Sequence, residues 1–287
     1  MTPEGGISGR ARVAGVIGWP IAHSLSPRLH GYWLRQYGID GAYVPLPVRP
    51  ADAAAAFAGL SRLGFVGANV TLPHKEAALA AVDRVSETAR RIGAVNTILV
   101  GDDGRLQGDN TDAFGFIEHL RASRPGWRAG LGPAMILGAG GAARAVIAAL
   151  LMEGAAEVRL ANRGRERAER LAAMFGGGVR VEDWTAREAA MVDVSLLVNC
   201  TLLGMRGQPP LELDLARLPA RAVVYDIVYT PLETPLLGAA AARGLATVDG
   251  LGMLLHQARP GFAHWFGVLP EVSEALRAHV LAGLVPS

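Results

Sequence analysis

The stretch AMILGAGGAARAVIAALLMEG, residues 134–154, restricts the possible fold more than any other part of the chain. An apolar run typical of a buried strand ends in a glycine cluster, and a helical pattern follows. The spacing is G-x-G-x-x-A: the first glycine permits a tight turn, the second lets the backbone approach a pyrophosphate, and the small third residue allows close helix–strand packing. The N–H groups and dipole at the helix start favour phosphates. The alternative is a glycine-rich turn required only for packing. The predicted dinucleotide loop comprises Gly138, Ala139, Gly140, Gly141 and Ala142.

The strand after this loop indicates which dinucleotide is bound. In an NAD site, an Asp or Glu about 20 residues after the glycines binds the ribose 2′-hydroxyl. Here the segment EVRLAN ends in Asn162, and Arg163, Arg165 and Arg167 follow in place of an acid. Guanidinium groups match the charge and geometry of a phosphate, so the arginines favour NADP, whose ribose carries a 2′-phosphate. The alternative is that Arg165 and Arg167 only cover an exposed helix.

Short apolar strands alternate with helical patterns through almost all of the chain, which is typical of a mostly parallel sheet covered by helices. In the first third the predicted strands are at 12–18, 42–48, 67–71 and 95–100, and the predicted helices at 27–37, 51–62, 74–82 and 87–92. After a break at SRPGWRAGLGP, six further strand patterns are enough for a dinucleotide-binding sheet. With 287 residues, the chain is expected to form two domains.

Composition excludes several classes of function. The sequence contains no run of about 20 apolar residues, which argues against a membrane span. The formal net charge is only +2, and the arginines are spread along the chain, so nucleic-acid binding is not indicated. A single cysteine, Cys200, suits a reducing cytoplasm. We expect a cytoplasmic protein whose partners include neither membrane nor nucleic acid, and no motif calls for a metal.

The stretch GWPIAHSLSPRLH, residues 18–30, places Ser24 and Ser26 where a strand gives way to a helix. In an extended segment, residues i and i+2 point the same way. Both hydroxyls would then face one spot near the partly positive start of the helix. The simpler interpretation is that Ser26 is an N-cap followed by Pro27 at the first helical position. That interpretation leaves Ser24 unexplained, and a ligand held by both hydroxyls is the alternative.

Two further segments carry polar groups that suit catalysis. In GANVTLPHKEAALAA, Asn69 and Thr71 share a strand face, and Lys75 falls in the first turn of the next helix. The helix dipole opposes a cation there and favours release of its proton, as an acid–base group requires; an ordinary surface lysine is the alternative. In GDNTDAFGF, Asp112 lies at the start of a helix. It suits either a partner for Lys75 or a simple helix cap.

In chain order the sequence contains GWPIAHSLSP, GANVTLPHKE, GAVNTI, GDNTD, GAGGAARA, NCTLLGM, YDIVYTPLETPLL and GLGMLLHQA. Together these segments resemble the shikimate dehydrogenase family. The resemblance implies an α/β fold with an N-terminal α/β substrate domain, whose sheet is mostly parallel, over 1–112. It also implies a Rossmann-type NADP-binding domain over 113–250. The C-terminal helices of 251–287 would return to pack on the substrate domain.

The resemblance also implies a role for individual residues. Ser24 and Ser26 would bind the carboxylate of shikimate, Lys75 would be the acid–base group, and Asp112 its partner. The ring hydroxyls and the rest of the pocket would be contacted by Thr71, Lys75, Asn96, Asp112, Tyr229 and Gln257. The 2′-phosphate site would be formed by Asn162, Arg163 and Arg167. The nicotinamide end would lie near Ile227 and Gly250.

The implied activity is the reversible reduction of 3-dehydroshikimate to shikimate by NADPH, in chorismate and aromatic amino-acid biosynthesis, by a monomer or homodimer. Two alternatives stay open: a quinate/shikimate dehydrogenase that uses NAD or both cofactors, and a non-catalytic NADP-binding sensor. Gly164 bears on the first, because the family often has Thr there and the missing hydroxyl removes one phosphate contact. The presence of both Lys75 and Asp112 argues against the sensor.

Overall fold

The computed structural model describes residues 6–284, which form two compact units. The first contains residues up to 111 together with those from 255 onward, and the second contains residues 112–254. The domain limits expected from the sequence, after residues 112 and 250, differ from these by one and four residues; the division of function between them stays a prediction. Residues 1–5 and 285–287, at the ends of the predicted domains, lie outside the described residues.

Twelve strands are assigned within residues 6–284, six in each of two sheets. In chain order they are β1 (Arg12–Gly18), β2 (Gly41–Pro47), β3 (Phe65–Val70), β4 (Arg84–Val85), β5 (Thr97–Val100), β6 (Leu106–Asp109), β7 (Ala134–Leu137), β8 (Val158–Ala161), β9 (Val179–Glu182), β10 (Leu196–Asn199), β11 (Val223–Asp226) and β12 (Ala246–Val248). The four strands of the second sheet that follow apolar patterns, β7, β8, β10 and β11, are buried at every position. Burial on both faces is what a parallel sheet covered by helices requires.

Ten α-helices connect and cover the sheets in the described part of the chain. They are α1 (Ser26–Gln36), α2 (Ala53–Arg62), α3 (Lys75–Ala81), α4 (Glu87–Ile92), α5 (Asp112–Ser123), α6 (Gly141–Met152), α7 (Arg165–Ala173), α8 (Pro235–Ala242), α9 (Leu251–Phe266) and α10 (Glu274–Leu281). The alternation of strand and helix confirms the α/β fold predicted from the sequence pattern.

The first sheet has the strand order β2-β1-β3-β5-β6-β4. β1 runs parallel to β2 and β3, and β4 runs parallel to β6. β5 is antiparallel to both β3 and β6. The sheet is therefore mostly parallel, as predicted. The antiparallel strand has a consequence for the site, because the beginning of β5 lies at the same edge of the sheet as the ends of β3 and β6.

The second sheet has the order β12-β11-β10-β7-β8-β9 with every pair parallel. From β7 the chain proceeds outward through β8 and β9, then returns to β10 on the other side of β7. The strand order thus reverses between β7 and β10, and ligands of such sheets bind beyond the carboxyl ends of the strands at this switch point. This is the doubly wound dinucleotide-binding arrangement that the sequence predicts.

The C-terminal helices complete the core of the first unit. The indole of Trp265, on α9, donates a hydrogen bond to the carbonyl of Ile98 at 3.1 Å. Trp33, on α1, donates to the carbonyl of Glu271 at 3.1 Å. Gly67 has φ +154°, and a Cβ there would stand 2.1 Å from the Trp265 Nε1 and 2.2 Å from the Ile98 oxygen. The tail therefore buries its large apolar side chains on the first unit, as predicted.

Within residues 6–284, every helix is too short or too polar to cross a bilayer.

Candidate active site

Ser24 and Ser26 lie at the start of α1, but not in the geometry that the sequence suggests. Ser26 is the first helical residue and Leu25, with φ −84° and ψ −7°, takes the N-cap position. The segment is a turn, in which the N–H of Ser24 donates to the carbonyl of Ile21. The expected extended segment is therefore wrong, and so is Ser26 as the N-cap. The Ser24 hydroxyl instead accepts from the N–H of Ser26 at 3.3 Å, which brings both serines to the positive end of the helix.

A buried aromatic stack lies next to Ser26. The Tyr43 hydroxyl donates to Asn69 Oδ1 at 2.6 Å, and the His30 ring stacks on Tyr43 with centroids 3.9 Å apart. Burial raises the pKa of Tyr43 well above its usual value, although a hydrogen bond with Ser26 opposes the shift. Burial lowers the pKa of His30 to about 3. Both side chains are therefore neutral near pH 7, and Tyr43 contacts both Ser26 and Asn69, an arrangement that sequence analysis did not anticipate.

Asn96 is the centre of a buried hydrogen-bond network. Its Oδ1 accepts from the Thr111 N–H at 2.8 Å and from the hydroxyls of Thr97 and Thr111 at 2.9 and 3.2 Å. Asn69 Nδ2 donates to the Asn96 carbonyl at 3.3 Å and to the Thr97 hydroxyl at 3.2 Å. The Thr111 hydroxyl lies 3.4 Å from Gln257 Oε1, on α9. The network thus brings together Asn96 and Gln257, two predicted substrate residues.

Thr71 and Lys75 lie at the same edge of the first sheet. Thr71 directly follows β3, and its N–H donates to the Ile17 carbonyl at 2.9 Å. Lys75 is the first residue of α3, and its carbonyl accepts from the N–H of Val95 at 2.9 Å. Since Asn96 follows Val95 in the chain, the lysine backbone is tied to the segment that presents Asn96. His74 also anchors this helix, with its Nε2 2.8 Å from the Val48 carbonyl.

Asp112 and Tyr229 belong to the second unit. Asp112 is the first residue of α5 and follows Thr111, whose N–H bonds to Asn96. Tyr229 lies in the loop after β11, where burial raises its pKa. Their expected roles beside Lys75 and the substrate stay predictions.

The glycine loop after β7 has the features of a phosphate cradle. Gly138 adopts φ +100°, and a Cβ there would lie 2.9 Å from Thr201 Cγ2 and 3.0 Å from the Cys200 carbonyl. Gly140 and Gly141, at the start of the 12-residue helix α6, have nothing within 4 Å of the position of a Cβ. A pyrophosphate can therefore approach the backbone and the helix N-terminus. The residues present fit a dinucleotide.

The three arginines after β8 are held differently. Arg167 Nε donates to the Ala139 carbonyl at 2.9 Å, which ties α7 to the phosphate loop. Arg165 forms ion pairs with Glu169 and Asp183. Arg163 is exposed, and the described residues include no ion-pair or hydrogen-bond partner for its side chain. Arg165 is thus engaged on the helix surface, and the expected role of Arg163 and Arg167 toward a 2′-phosphate stays a prediction.

Asn162 and Gly164 form the turn that leads into α7. The Asn162 Nδ2 donates to the Gly164 carbonyl at 2.9 Å. Gly164 is the N-cap residue of α7, with φ −92° and ψ 101°, and has no side chain to accept from the first helical N–H groups. The first turn of α7 therefore has no side-chain hydroxyl as a helix cap.

Ile227 and Gly250, both predicted near the nicotinamide, lie against each other. A Cβ on Gly250 would stand 2.2 Å from the Ile227 carbonyl oxygen and 2.8 Å from that of Val228. Only glycine permits this approach. The buried polar residues Asn199, Asp226 and Thr234 support the same loop, and sequence analysis missed them. The available signal was a polar residue at the end of each of two apolar strands, LLVN and VVYD.

Two family models match the chain. Residues 16–98 match the shikimate dehydrogenase substrate binding domain, and residues 131–202 match shikimate / quinate 5-dehydrogenase. The shikimate dehydrogenase (NADP(+)) of Rhodospirillum rubrum is 62% identical over 279 residues, which cover 96% of this chain and 99% of that protein. The chain belongs to the shikimate dehydrogenase family. The motif-based resemblance is thereby confirmed.

Solved structures of the family include enzymes for both substrates that the sequence left open. The shikimate 5-dehydrogenase of Thermus thermophilus, in complex with NADP(H) and shikimate, is 40% identical, with a TM-score of 0.84 over 95% of this chain and 99% of that one. The quinate dehydrogenase of Corynebacterium glutamicum, in complex with NAD, is 32% identical, with a TM-score of 0.88 over the same shares. Because the overall fold fits both, the residues of the site must decide between them.

Proposed function

We propose that the chain is an NADP-dependent shikimate dehydrogenase, which interconverts 3-dehydroshikimate and shikimate. The observation that carries the proposal is the network in which Asn96, Thr111 and Gln257 converge beside the Lys75 segment. A set of neutral amides and hydroxyls with one cation suits a small ring that bears several hydroxyls. The name and 62% identity of the Rhodospirillum relative support the same substrate and cofactor.

The substrate's carboxylate would be bound by the two serines. Their hydroxyls lie at the N-terminus of the 11-residue helix α1, where the dipole and unpaired N–H groups favour an anion. The neighbouring side chains Tyr43 and His30 carry no charge that would compete for the anion. Thr71, Asn96 and Gln257 would contact the ring hydroxyls, and the buried network beneath holds Asn96 in a single orientation before substrate arrives.

The reaction needs a hydride at the ring carbonyl carbon and a proton at its oxygen. Bound NADPH supplies the hydride. Lys75 would donate the proton to the oxygen, and in the oxidation of shikimate it would take that proton back. Such acid–base help is typically worth about 10²–10⁴ in rate. Asp112, on the family resemblance, would hold the lysine's charge and orientation, and Tyr229 would complete the pocket.

The preference for NADP would come from the end of β8. A carboxylate that would bind the ribose 2′-hydroxyl of NAD is replaced by Asn162, and Arg163 and Arg167 provide positive charge. Arg167 also donates to the carbonyl of Ala139 in the phosphate loop, so one residue would link the 2′-phosphate site to the pyrophosphate site.

The second candidate is a quinate/shikimate dehydrogenase that accepts NAD. Gly164 favours it, because no hydroxyl reinforces the 2′-phosphate site, and the Corynebacterium quinate dehydrogenase shares the fold closely. Quinate has one more ring hydroxyl beside its carboxylate, so the wall near Ser24 would have to leave room for it.

Initial rates of shikimate and quinate oxidation, each with NADP⁺ and with NAD⁺, test the proposal directly. We expect strong activity with shikimate and NADP⁺ and little with the other three pairs. Comparable rates with quinate or with NAD⁺ would instead identify the second candidate. If NADP⁺ binds but neither substrate turns over, the chain is a non-catalytic NADP-binding sensor.

We also propose a cytoplasmic location and a monomeric or homodimeric state. The location is supported by the single, buried cysteine Cys200, since cytoplasmic proteins rarely depend on disulfides. The oligomeric state rests on the family resemblance, and light scattering coupled to size-exclusion chromatography measures it.

A further inference from the structure

Two completely buried polar residues lie side by side at the ends of adjacent strands in the second sheet. Asn199 ends β10 and Asp226 ends β11, and the two are direct partners in the strand register. Both have 0% of their surface exposed. Asn199 Nδ2 donates to Asp226 Oδ1 at 2.9 Å. The site described above names them only as supports of the loop after β11.

Asn199 shapes the loop that follows β10. Its Oδ1 accepts from the N–H and the hydroxyl of Thr201 at 3.0 and 2.7 Å, and its Nδ2 also donates to the Leu203 carbonyl at 3.1 Å. The Thr201 methyl group in turn lies 2.9 Å from the position that a Cβ on Gly138 would take. Asn199 therefore determines how the loop 200–204 packs against the phosphate loop.

Asp226 shapes the loop that follows β11. Its Oδ1 accepts from the Val228 N–H at 3.0 Å, and its Oδ2 accepts from the Thr234 hydroxyl at 2.7 Å. The N–H of Ile227 donates to the carbonyl of Asn199 at 3.1 Å. One carboxylate thus holds both ends of the loop 227–234, which contains Ile227 and Tyr229.

Burying a carboxylate is expensive, and a pair of apolar residues would fill the same space at lower cost. The cost shows in Asp226 itself, because burial raises its pKa to about 6 even though three hydrogen bonds oppose the shift. An arrangement that is costly for stability yet fully hydrogen-bonded suggests a requirement for one specific loop geometry.

We propose that Asn199 and Asp226 are positioning residues that hold the loops 200–204 and 227–234 in the geometry that receives the nicotinamide end of NADP(H). The proposal rests on the proposed function, since it assigns Ile227 and Gly250 to that end of the cofactor. The 2′-phosphate end is held separately, by the segment 162–167 after β8. Disruption of the Asn199–Asp226 pair should therefore weaken binding of the nicotinamide end more than binding of the 2′-phosphate end.

Two pairs of variants test whether the loops depend on the hydrogen bonds of Asp226 and Thr234 or only on the size of these side chains. Asp226→Leu removes both acceptors, whereas Asp226→Asn keeps an oxygen for Asn199 and Val228 and an amide that can donate to Thr234. Thr234→Val removes the hydroxyl at the far end of the loop, whereas Thr234→Ser retains it. If Asp226→Leu does not fold, the Thr234 pair tests the proposal alone.

Titration calorimetry of each variant without substrate compares NADP⁺ with adenosine 2′,5′-bisphosphate, which lacks the nicotinamide. We expect Asp226→Leu and Thr234→Val to weaken NADP⁺ at least about fivefold and to change adenosine 2′,5′-bisphosphate less than about twofold. Their kcat should fall about 10- to 100-fold, since small misplacements of reacting groups have effects of that size. Asp226→Asn and Thr234→Ser should have nearly the same affinity for NADP⁺, affinity for adenosine 2′,5′-bisphosphate and kcat as the parent protein. Amide exchange in the ligand-free disruptive variants should be faster over 227–234 than in the parent.

Equal weakening of both ligands would overturn the proposal, because it would mean a general loss of structure in the second unit. Unchanged affinity and kcat in the disruptive variants would overturn it as well. Failure of the proposed function is distinguishable, because the parent protein would then bind NADP⁺ without oxidising shikimate, and the comparison of the two ligands would still be measurable.

Discussion

The two units differ in the groups that form hydrogen bonds with their buried polar side chains. In the first, Asn69, Asn96, Thr97 and Thr111 bond to one another without any formal charge. In the second, the carboxylate of Asp226 lies completely buried among backbone and side-chain donors. The first network supports groups that would contact a small polyhydroxylated ring. The second fixes loops that would contact one end of a large cofactor.

The sheets explain the difference. Because β5 runs antiparallel to β3, Thr97 pairs with Asn69, and residue 96 is brought to the edge where β3 ends. Neutral side chains from three separate segments therefore meet there. In the all-parallel second sheet, only strand ends reach the corresponding edge, and each is followed by a loop that must be anchored. A carboxylate has two acceptor oxygens, and Asp226 uses them to accept from Asn199, from Val228 at the start of the loop and from Thr234 at its end.

The largest effect should come from Lys75, the acid–base group proposed in the first unit. Lys75→Ala should lower kcat about 10²–10⁴-fold while calorimetry shows that shikimate still binds. Lys75→Arg is the matched control: it keeps the charge but cannot give up its proton near neutral pH, so its kcat should fall similarly with still better binding. Near-normal turnover in either variant would remove the lysine from the mechanism.

Replacement of a glycine should lower the stability of the protein in the first unit and weaken ligand binding in the second. Gly67→Ala places a Cβ 2.1 Å from Trp265 Nε1 and should destabilise the protein by about 3 kcal/mol or more. Gly140→Ala meets nothing within 4 Å and should leave the unfolding free energy unchanged while it weakens NADP⁺ binding. Thermal denaturation with and without NADP⁺ measures both. A Gly140→Ala protein with unaltered NADP⁺ affinity would contradict the assignment of the phosphate loop.

A fall in pH should change the stability of the two units in opposite directions. His30 has a folded-state pKa of about 3, below its usual 6.5, so the unfolded chain takes up its proton first and the first unit loses stability as pH falls below 6.5. Asp226 has a folded-state pKa of about 6, above its usual 3.8, so the second unit gains stability as pH falls from about 6 to about 4. Each of the two groups changes the free energy of unfolding by about 1 kcal/mol per pH unit in its range.

Amide exchange at pH 7 and pH 4.5 reports the stability of each unit separately. His30→Phe, which preserves a ring against Tyr43, should remove the acid loss in the first unit, and Asp226→Asn should remove the gain in the second. An equal response of both units to acid in these variants would show that other groups control the pH dependence.

The smallest effect should come from Gly164. A Cβ there meets only Asn162 Nδ2, at 3.6 Å, and φ is −92°, so Thr fits without strain. Gly164→Thr should stabilise α7 by a few tenths of a kcal/mol, about the difference between Thr and Gly as N-caps, and raise the preference for NADP⁺ over NAD⁺ about two- to fivefold through one added hydrogen bond. Gly164→Val, of the same shape without a hydroxyl, should do neither. Equal selectivity in both variants would exclude a hydroxyl–phosphate contact.

Local patterns were sufficient to predict much of this protein. The glycine spacing predicted a tight turn between β7 and α6, whose backbone is open at Gly140 and Gly141, and the missing acid after β8 favoured NADP. Alternating apolar strands and helices predicted the second sheet and most of the first, and β1 coincides with the predicted strand at 12–18. These features succeed because strand burial, tight turns and helix starts depend on residues close together in the chain.

Contacts between distant segments could not be predicted in the same way. The serine segment was interpreted as extended, but it forms a turn from Ile21 to Ser24, and the Ser24 hydroxyl accepts from the N–H of Ser26 at the start of α1. Nothing in the sequence indicated that Thr111 links Asn96 with Gln257, which lies 146 residues after Thr111 in the chain. Asn199 and Asp226 looked like ordinary strand ends, and only their register shows that they bond to each other.

The sequence by itself determined the fold class, the family and the kinds of chemical group available to the site, because each depends on short patterns with their own physical logic. Only the tertiary structure decided which of those groups meet and what holds them. The direction of β5 and the pairing of β10 with β11 set that outcome, since strand pairing joins residues whose separation in the chain carries no local signal.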